Sequence, residues 1–510
     1  MIARIQSGAV SGIEGYPVEV EVHLAPGIPG MTIVGLPDAA VKESGNRIQA
    51  AFKNTNLDLP LKKITVNLAP ADIRKEGSSY DLPIALGILG AAGLLNKERL
   101  DKFMIFGELS LDGRIKPIKG TLCLATCARK EKLEGLILPR ENAPEGAWVE
   151  DLPIYAMDTL PQAVAFINEE ADFPPFPPHS PDEFIRNVSH DCDFTDVKGQ
   201  QHVKRSLEVA AAGGHNILLI GPPGSGKSML AKRLPSILPR LNLGEAIEST
   251  KIYSILGLQK NGVGLLTQRA FRSPHHTISD AGLIGGGRIP LPGEVSMAHN
   301  GVLFLDELPE FKRNVLEVLR QPLEDGEVCI SRATGSTTYP TRFMLVAAMN
   351  PCPCGYRSDP KRECHCSLME IKKYLSKISG PLLDRIDLHV EVPTLNYKEL
   401  STKEAGEPSE IVRSRVETAR QVQEERFRNS KIFCNANMST KQLQTMCALD
   451  AASKKLMETA IDRLGLSARA HDRILKVART IADLAGEKDI QSMHVAEAIQ
   501  YRSLDRETLL

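Results

Sequence analysis

Residues 216–230, NILLIGPPGSGKSML, decide the fold of this chain. Apolar residues are followed by the pattern G-x-x-x-x-G-K-S, so the segment predicts a buried strand, a glycine-rich turn and the start of a helix. The glycines let backbone N–H groups curl around phosphate oxygens, where a side chain would collide. The helix that follows directs its positive end at the same anion. This order predicts a nucleotide phosphate site rather than a chance glycine-rich turn.

The residues of this loop have separate expected roles. Lys227 is expected to reach the β- and γ-phosphates, and Ser228 to offer its hydroxyl to Mg²⁺. The sequence contains no N-K-x-D tetrad for reading guanine, so ATP with Mg²⁺ is expected rather than GTP. Because the chain carries one such loop, we expect one nucleotide site per subunit. The expected nucleotide-binding residues are Gly221, Pro222, Pro223, Gly224, Ser225, Gly226, Lys227 and Ser228.

Polar side chains follow two more apolar strands. Val302–Leu305 delivers Asp306 and Glu307 to its carboxyl end, where α/β sheets bind ligands. Asp306 is expected to hold Mg²⁺ through water, and Glu307 to polarise the attacking water. Two acids after a strand are by themselves more often a solvated turn, but their place downstream of a phosphate loop favours catalysis. Residues 343–348 predict a third strand, and Asn350 beyond it could orient the water, sense the γ-phosphate, or simply cap a helix or turn.

Composition bounds the class of protein. The chain has 510 residues, 42% of them hydrophobic, and a net charge of −1. No apolar run reaches the roughly 18–20 residues that a membrane helix needs, and the first residues lack the apolar stretch of a signal peptide. We therefore expect a cytoplasmic protein without a membrane partner. A near-neutral chain has no global positive field, so any DNA contact must come from a local basic surface.

The sequence divides into blocks. Residues 1–170 predict an α+β domain, and residues 194–394 alternate strand-like and helix-like segments, as an α/β sheet requires. Between them, residues 171–193 are expected to form a stiff, extended linker, because FPPFPPHSP carries five prolines in nine residues. Residues 395–510 are helical in periodicity.

Several elements are predicted within the first block. Alternation predicts a half-buried strand whose inward residues are Val18, Val20, Val22 and Leu24. Asp38 is expected to cap a helix that continues to Phe52. Residues 64–68 predict another strand, and residues 81–95 an apolar helix.

Four of the ten cysteines form the pattern C-x-C-x₉-C-x-C. Two close pairs joined by a short loop can place four thiolates tetrahedrally around Zn²⁺. Structural zinc is favoured, with unmetallated thiols as the alternative, and His365 could replace one sulfur. The insertion 352–366 is expected to stiffen the segment that follows it and to do no chemistry. Its expected ligands are Cys352, Cys354, Cys364 and Cys366.

Three stretches carry a family resemblance. GPPGSGKS at 221–228, PLPGEVSMAHNGVLFLDELPEF at 290–311, and AAMNPCPCGY at 347–356 followed by SGPLLDRID are close to the patterns of the magnesium-chelatase-like branch of AAA+ ATPases, which is related to MCM helicases. Taken with its N-terminal block, the chain resembles the competence-associated members of that branch. The resemblance implies an α/β P-loop core with a C-terminal helical lid. It also implies a homo-hexameric ATPase that drives DNA branch migration during recombination of incoming DNA in natural transformation.

The resemblance assigns arginines as well. Arg385, in LLDRID, becomes a finger that reaches the γ-phosphate held by a neighbouring subunit, where its fork neutralises transition-state charge. Arg469 is the best match to the second sensor, and Arg473, one helical turn away, is the alternative. For each arginine a surface salt bridge is the other interpretation. A finger that acts in trans requires an oligomeric ring.

The branch also carries insertions that line a central pore. Residues 282–292 are too glycine-rich for a regular helix, and residues 327–340 alternate and then turn, so both suit hairpins. Arg288 and Arg332 are the candidates for contact with DNA phosphate. Two solvated loop arginines are the alternative.

The N-terminal block resembles the proteolytic domain of Lon, through KEGSSYDLPIALGIL at 75–89 and GELSLDGRIKPIKGTLCLATCA at 107–128. In that family a lysine activates a serine. The serine position is Ser79, but the lysine position holds Leu122, which cannot accept a proton. We therefore expect a proteolytically inactive copy of the fold, used for assembly or for contact with DNA or a partner, with Ser79 as a helix cap.

Two functions stay open. The first is an ATP-driven DNA translocase that acts on single-stranded, double-stranded or branched DNA. The second is a magnesium-chelatase-like subunit that uses ATP to remodel a protein partner. The phosphate loop supports both equally, so the preference for DNA depends on the resemblance, while Leu122 disfavours a third reading as an ATP-dependent protease.

Overall fold

The computed structural model describes residues 2–71, 75–180, 183–184, 192–259, 264–287, 290–332, 335–357, 359–395, 406–430 and 432–502, to which all counts below refer. They divide into two compact units. The first consists of the described residues up to 187 together with Asn242–Thr267. The second consists of the described residues from 188 to Leu241 and from Gln268 onward. The segment Asn242–Thr267 therefore belongs to the first unit, although it lies within the block 194–394 that was predicted to form one α/β domain.

The first unit is built on a seven-stranded sheet, counted over its described residues, with the order β3-β4-β2-β1-β5-β8-β9. Strands β1, β2 and β4 pair antiparallel, and the remaining neighbours pair parallel. A separate small hairpin joins β6 to β7. The strands are β1 Ile2–Ser11, β2 Glu14–Ala25, β3 Gly30–Val34, β4 Lys63–Ala69, β5 Phe103–Ile105, β6 Glu108–Leu109, β7 Ile115–Lys116, β8 Gly135–Pro139 and β9 Ile154–Met157.

Helices cover this sheet. They span Ala39–Lys42, Ser44–Asn54, Asp81–Ala92, Lys97–Leu100, Thr121–Lys130, Ala143–Gly146, Leu160–Ile167 and Leu243–Leu256. The Asp81–Ala92 helix is buried on almost every side, so its residues are apolar without a helical stripe. The alternating residues of β2 all face the core, as predicted.

Three local predictions need correction. Asp38 does cap a helix, through a 2.8 Å hydrogen bond from the Val41 N–H, but that helix ends at Lys42 and a second one begins at Ser44. The apolar helix ends at Ala92 because Gly93 adopts a left-handed φ of 82°. Ser79 is not its cap: Tyr80 holds that position without a side-chain bond, and Ser79 contributes its carbonyl to the Gly107 N–H.

The described part of the proline-rich segment, residues 173–180, forms neither a helix nor a strand and belongs to the first unit. The Phe176 N–H donates to the Ile154 carbonyl at 2.7 Å, which ties the segment to β9. His179 stacks on Trp148 with ring centroids 4.6 Å apart. The described part of this segment therefore belongs to the packing of the first unit.

The Leu243–Leu256 helix explains why its segment belongs to the first unit. Asn242 and Glu245 form a capping box that starts it, and Gly257 ends it with a φ of 69°. Its carbonyl at Ser254 accepts a 3.2 Å hydrogen bond from the Gly120 N–H, at the start of the Thr121–Lys130 helix. The Ser254 hydroxyl also donates to the buried Glu145 carboxylate. Such long-range side-chain pairing leaves no mark in local sequence patterns.

The second unit contains a five-stranded parallel sheet, counted over the described residues, with the order β11-β14-β17-β10-β18. Two antiparallel hairpins, β12–β13 and β15–β16, accompany it. The predicted strand 216–220 begins one residue later, at Ile217, and the predicted strand 343–348 is shifted by one residue to Met344–Met349. The strands are β10 Ile217–Ile220, β11 Phe271–Arg272, β12 Gly285–Gly286, β13 Leu291–Pro292, β14 Val302–Leu305, β15 Glu327–Arg332, β16 Gly335–Pro340, β17 Met344–Met349 and β18 Leu388–Glu391.

Helices flank this sheet and form the C-terminal part of the unit. Those of the core span Gln201–Gly213, Lys227–Arg233, Asp280–Ile284, Glu294–Met297, Arg313–Glu317, Arg320–Asp325, Leu368–Leu375 and Gly380–Leu383. Those of the C-terminal part span Ser409–Arg426, Thr440–Met446, Ala451–Leu464, Ala468–Leu484 and Ser492–Gln500. One hydrophobic core joins both sets to the sheet. Within the described residues, no helix is both long enough and apolar enough to cross a bilayer.

Candidate active site

The predicted phosphate loop lies between β10 and the Lys227–Arg233 helix, at the carboxyl edge of the parallel sheet. Gly224 and Gly226 have left-handed φ values of 76° and 92°, which residues with a side chain rarely adopt. A Cβ at Gly221 would lie 2.2 Å from the Val392 carbonyl oxygen. The loop therefore needs its glycines both for its curvature and for its packing against the end of β18.

Lys227 is buried inside this loop. Its Nζ donates to the Gly221 carbonyl at 2.7 Å, to the Pro222 carbonyl at 3.0 Å and to Asn350 Oδ1 at 3.3 Å. Burial lowers the pKa of this ammonium, and the negative charge of Asp306 partly opposes that effect. The cation is thus held where the loop curls, next to the tip of β17.

The two acids lie at the same edge. Ser228 Oγ donates to Asp306 Oδ2 at 2.6 Å, so the two expected Mg²⁺ ligands are already adjacent. Hydroxyl and carboxylate oxygens suit this hard cation, which keeps most of its waters when it binds phosphates. Glu307 adopts a left-handed φ of 52° and leaves its side chain 60% exposed. The Glu307 carboxylate is therefore open to solvent at this edge of the sheet.

Sheet order explains why Asn350 joins the site. Strand β17 lies between β10 and β14, so its carboxyl end separates the phosphate loop from the acids. Asn350 follows that end, and its Oδ1 accepts the bond from Lys227. The structure thus brings together Lys227, Ser228, Asp306 and Asn350, all of which the sequence singled out.

His276 is a neighbour of the acids that sequence reasoning missed. Its Nδ1 lies 3.4 Å from Glu307 Oε2, and its ring is 4.1 Å from that of His275. The two histidines follow the two-residue strand β11 in a loop, where no periodicity marks them. The only sequence signal for His276 was a pair of histidines after a strand of an α/β core. Its contact with Glu307 follows from the pairing of β11 with β14, which the sequence does not show.

The three arginines lie at the opposite edge of the sheet. The Asp387 N–H donates to the Asn216 carbonyl at 2.9 Å, which marks the amino ends of β18 and β10, and Asn216 Nδ2 donates to the Arg385 carbonyl. Asn216, at this edge, lies five strand residues before Gly221, which corresponds to a distance of about 16 Å along the strand. Arg473 Nη1 lies 2.9 Å from Asp387 Oδ1, and Arg469 Nη1 lies 2.9 Å from Asp384 Oδ2. None of the three is therefore next to the phosphate loop of its own chain.

Arg385, Arg469 and Arg473 all line one polar cavity of about 340 Å³. Arg385 donates to the Pro381 carbonyl at 2.7 Å and pairs with Glu324, and its side chain is only 11% exposed. Burial lowers the pKa of Arg385, and Arg320, Arg469 and Arg473 act in the same direction. The cationic residues of the lining are Arg385, Arg469, Arg473 and Lys476, and the acidic ones are Glu324, Asp384 and Asp472.

Both predicted hairpins form, and they pack on each other. Tyr339 Oη, on β16, donates to the Pro290 carbonyl at 2.8 Å, next to β13. A Cβ at Gly286 would lie 3.0 Å from Arg332 Nη2, so β12 and β15 are also close. Arg332 is exposed on β15, whereas Arg288 lies outside the described residues.

The four predicted cysteines come together. Their sulfurs all lie within 4.8 Å of one another. Cys352 Sγ is 3.4 Å from Cys354 Sγ and 3.6 Å from Cys364 Sγ, and the Cys354 N–H donates to Cys366 Sγ at 3.4 Å. Sulfurs in a tetrahedral zinc site are about 3.8 Å apart, given Zn–S bonds of about 2.3 Å. The donor set therefore fits a structural zinc ion, with His365 exposed and not needed as a ligand.

The order of the parallel strands and the contents of their carboxyl edge define the second unit as the α/β core and helical lid of an AAA+ P-loop protein. Three models of magnesium-chelatase subunit families match successive parts of the chain. Residues 193–400 match magnesium chelatase, subunit ChlI, and residues 20–142 match subunit ChlI of Mg-chelatase. Residues 406–502 match the C-terminal part of magnesium chelatase subunit ChlI.

Similar proteins narrow the assignment. The chain is 46% identical over 508 residues to the competence protein ComM of Haemophilus influenzae, covering 99% of this chain and 98% of that protein. Over 31% of its length it is 25% identical to half of the magnesium-chelatase 38 kDa subunit of Rhodobacter capsulatus. Over 31% it is also 28% identical to 20% of the DNA replication licensing factor mcm7 of Schizosaccharomyces pombe. The chain therefore belongs to the magnesium-chelatase-like AAA+ family that includes the competence protein ComM.

Proposed function

We propose that the chain is an ATP-driven DNA translocase that works as a homo-hexamer and promotes branch migration during recombination of incoming DNA. The observation that carries this proposal is the placement of Lys227 and Arg385 at opposite edges of one parallel sheet. A subunit built this way offers a phosphate loop on one side and a basic cluster on the other. Copies arranged head to tail would join the two halves, and a closed head-to-tail arrangement is a ring.

ATP hydrolysis is the reaction that the residues of the loop edge support. Lys227 would exchange its carbonyl partners for the β- and γ-phosphate oxygens, and the loop N–H groups would bind the same anion. Ser228 and Asp306 would hold a magnesium ion, which would neutralise part of the phosphate charge. Glu307 would accept a proton from the attacking water, and Asn350 would orient that water or contact the γ-phosphate.

The opposite edge would complete the site of a neighbouring subunit. Arg385 would leave Glu324 and stabilise the charge that develops on the γ-phosphate held by the neighbour. The second sensor would then be Arg469 or Arg473, which share the cavity with Arg385. The greater exposure of Arg469, at 67% against 25% for Arg473, supports Arg469 as the one that can reach across.

DNA is the proposed substrate for three reasons. One relative matched over nearly its whole length is a competence protein, and a partial relative is a DNA replication licensing factor. The paired hairpins expose Arg332 on a strand, as a contact to a phosphate backbone requires. With a net charge of −1, binding would depend on such local groups, repeated around a ring.

The first unit would serve assembly or contact with DNA or a partner, and not proteolysis. Leu122 is fully buried, and its N–H donates to the Glu145 carboxylate at 2.9 Å. An aliphatic side chain at this position cannot deprotonate a serine. We expect the purified chain to leave casein intact with and without ATP.

The deciding experiment is a branch-migration assay on synthetic three- and four-way DNA junctions, with wild type and Lys227→Ala, each with and without ATP. Conversion of junctions by wild type with ATP alone supports the proposal. The chelatase-like alternative, remodelling of a protein partner, is favoured if junctions are untouched and DNA leaves the ATPase rate unchanged.

A further inference from the structure

The turn that follows the first cysteine pair lies directly on the phosphate loop. Gly355 has a left-handed φ of 86°, and a Cβ there would be 2.7 Å from Pro223 Cδ and 2.9 Å from Pro223 Cγ. The same Cβ would be 3.6 Å from Asn350 Cγ. Such distances exclude any larger residue unless the proline moves. The cysteine turn thus contacts both the loop that curls around phosphate and the asparagine that follows β17.

The segment after the second cysteine pair contacts the same asparagine. Ser367 follows Cys366 and caps the Leu368–Leu375 helix through a capping box with Glu370. Tyr374, in the last turn of that helix, is 8% exposed, and its phenol lies beside the Asn350 backbone. Both arms of the cysteine insertion therefore reach Asn350.

The two arms meet at the sulfurs. Cys352 and Cys354, on the first arm, each place Sγ 3.6 Å from Cys364 Sγ on the second. Thiolates this close repel one another unless a cation lies between them, and a tetrahedral cation of the zinc class binds four of them at once. The insertion can then act as a closed loop, with Pro223 and Asn350 against one side of it.

We propose that the Cys352/Cys354/Cys364/Cys366 centre, filled by zinc, positions the nucleotide site of its own subunit. The centre sets the position of the phosphate loop through Gly355 and that of Asn350 through Gly355 and Tyr374. Gly355 and Tyr374 are positioning residues that bind neither metal nor nucleotide. Loss of the metal releases the arms and weakens ATP binding. This inference rests on the proposed ATP site, and it differs from a role in stiffening the segment towards Arg385.

The test measures zinc content and ATP affinity separately, on full-length chains without DNA. Zinc is counted with a chelating dye after release by a mercurial reagent, and affinity is read from a fluorescent ATP analogue. Gly355→Ala and Tyr374→Phe are expected to keep wild-type zinc content and to bind the analogue roughly 10- to 100-fold more weakly, as for a displaced binding group. Cys364→Ser is expected to lose both zinc and affinity.

Gly486→Ala is the matched control, because Gly486 has a left-handed φ of 72° in the same unit and nothing within 4 Å of an added Cβ. It carries comparable backbone strain without the contact, so it should bind the analogue as wild type does. The inference would be overturned if Tyr374→Phe and Gly355→Ala each bound the analogue with wild-type affinity. It would also be overturned if removal of zinc left the affinity for the analogue unchanged. If ATP binds normally but DNA does not stimulate turnover, only the DNA motor proposal fails.

Discussion

Ser228 Oγ and Asp306 Oδ2 are joined by a 2.6 Å hydrogen bond that links the start of the Lys227–Arg233 helix to the end of β14, across the intervening strand β17. Residues far apart in the chain meet there because three parallel strands end at one edge. Lys227 and Asn350 complete the same group. This edge is the basis of the first two predictions.

Lys227→Ala is predicted to abolish nucleotide binding. Nζ is the buried cation of the loop, and charged hydrogen bonds contribute about 1.5–3 kcal/mol each, so affinity should fall by about 100-fold or more. Calorimetric titration with ATP and Mg²⁺ measures the effect. Lys232→Ala is the control, since Lys232 is exposed on the same helix. Equal affinity in both variants would contradict the assigned role.

Glu307→Gln is predicted to bind ATP normally and to hydrolyse it about 10²–10⁴-fold more slowly, the range for loss of a general base. The side chain is 60% exposed and its contact with His276 is a surface one, so stability should change little. Phosphate release and analogue binding are measured on the same preparation. Glu310→Gln, a change of charge three residues away, serves as the control. Normal turnover in Glu307→Gln would remove this residue from the mechanism.

Arg332→Ala is predicted to weaken DNA binding and to reduce the slope of log affinity against log salt by about 1, the change expected for one lost phosphate contact. Basal ATP hydrolysis without DNA should stay at the wild-type rate. Arg428→Ala, an exposed arginine of the helical lid, is the control. An unaltered salt slope would exclude Arg332 as a phosphate contact.

Stability is predicted to fall in mild acid because of buried His215, whose Nδ1 lies 3.0 Å from Asp387 Oδ2. Burial lowers the pKa of His215 in the folded state. Burial alone would raise the pKa of Asp387, but Arg473 and His215 hold it below its ordinary value. Both groups therefore bind protons more readily once unfolded, and stability decreases as pH falls below about 6.5 for the histidine and about 4 for the aspartate.

Thermal unfolding between about pH 7 and pH 5 tests the histidine part of this prediction. The fall in Tm should be smaller in His215→Asn than in wild type, since the asparagine does not titrate. His202→Asn, which replaces an exposed histidine, should follow wild type. Parallel curves for all three chains would assign the acid sensitivity to other groups.

The sequence predicted which side chains meet at the carboxyl edge of the second sheet, because the signals for them are local. A glycine loop after an apolar strand, and acids after another, are fixed by backbone geometry within a few residues of each other. Asn350 and the four cysteines were found in the same way. The order of the strands was not predicted, because it depends on which apolar segments pair with each other.

The remaining features depend on contacts between distant segments. The packing of Asn242–Thr267 in the first unit depends on Gly120 and Glu145, more than a hundred residues earlier. The position of Arg469 and Arg473 at the edge opposite the phosphate loop depends on how the lid helix meets the start of β18. Spacing along the chain carries no information on either, and the same holds for the contact of Gly355 with Pro223.

The most direct test of the proposed nucleotide site shared between neighbouring subunits is a mixing experiment with two chains that we expect to be inactive alone. Arg385→Ala keeps its own phosphate loop but lacks the finger, and Lys227→Ala keeps the finger but lacks the loop. Each chain alone should hydrolyse ATP at a few per cent of the wild-type rate or less, in line with the effect of losing a finger. Mixtures should regain activity that peaks near equal proportions. Mixtures that stay inactive at every ratio, although each chain still exchanges into wild-type assemblies, would contradict action between neighbouring subunits.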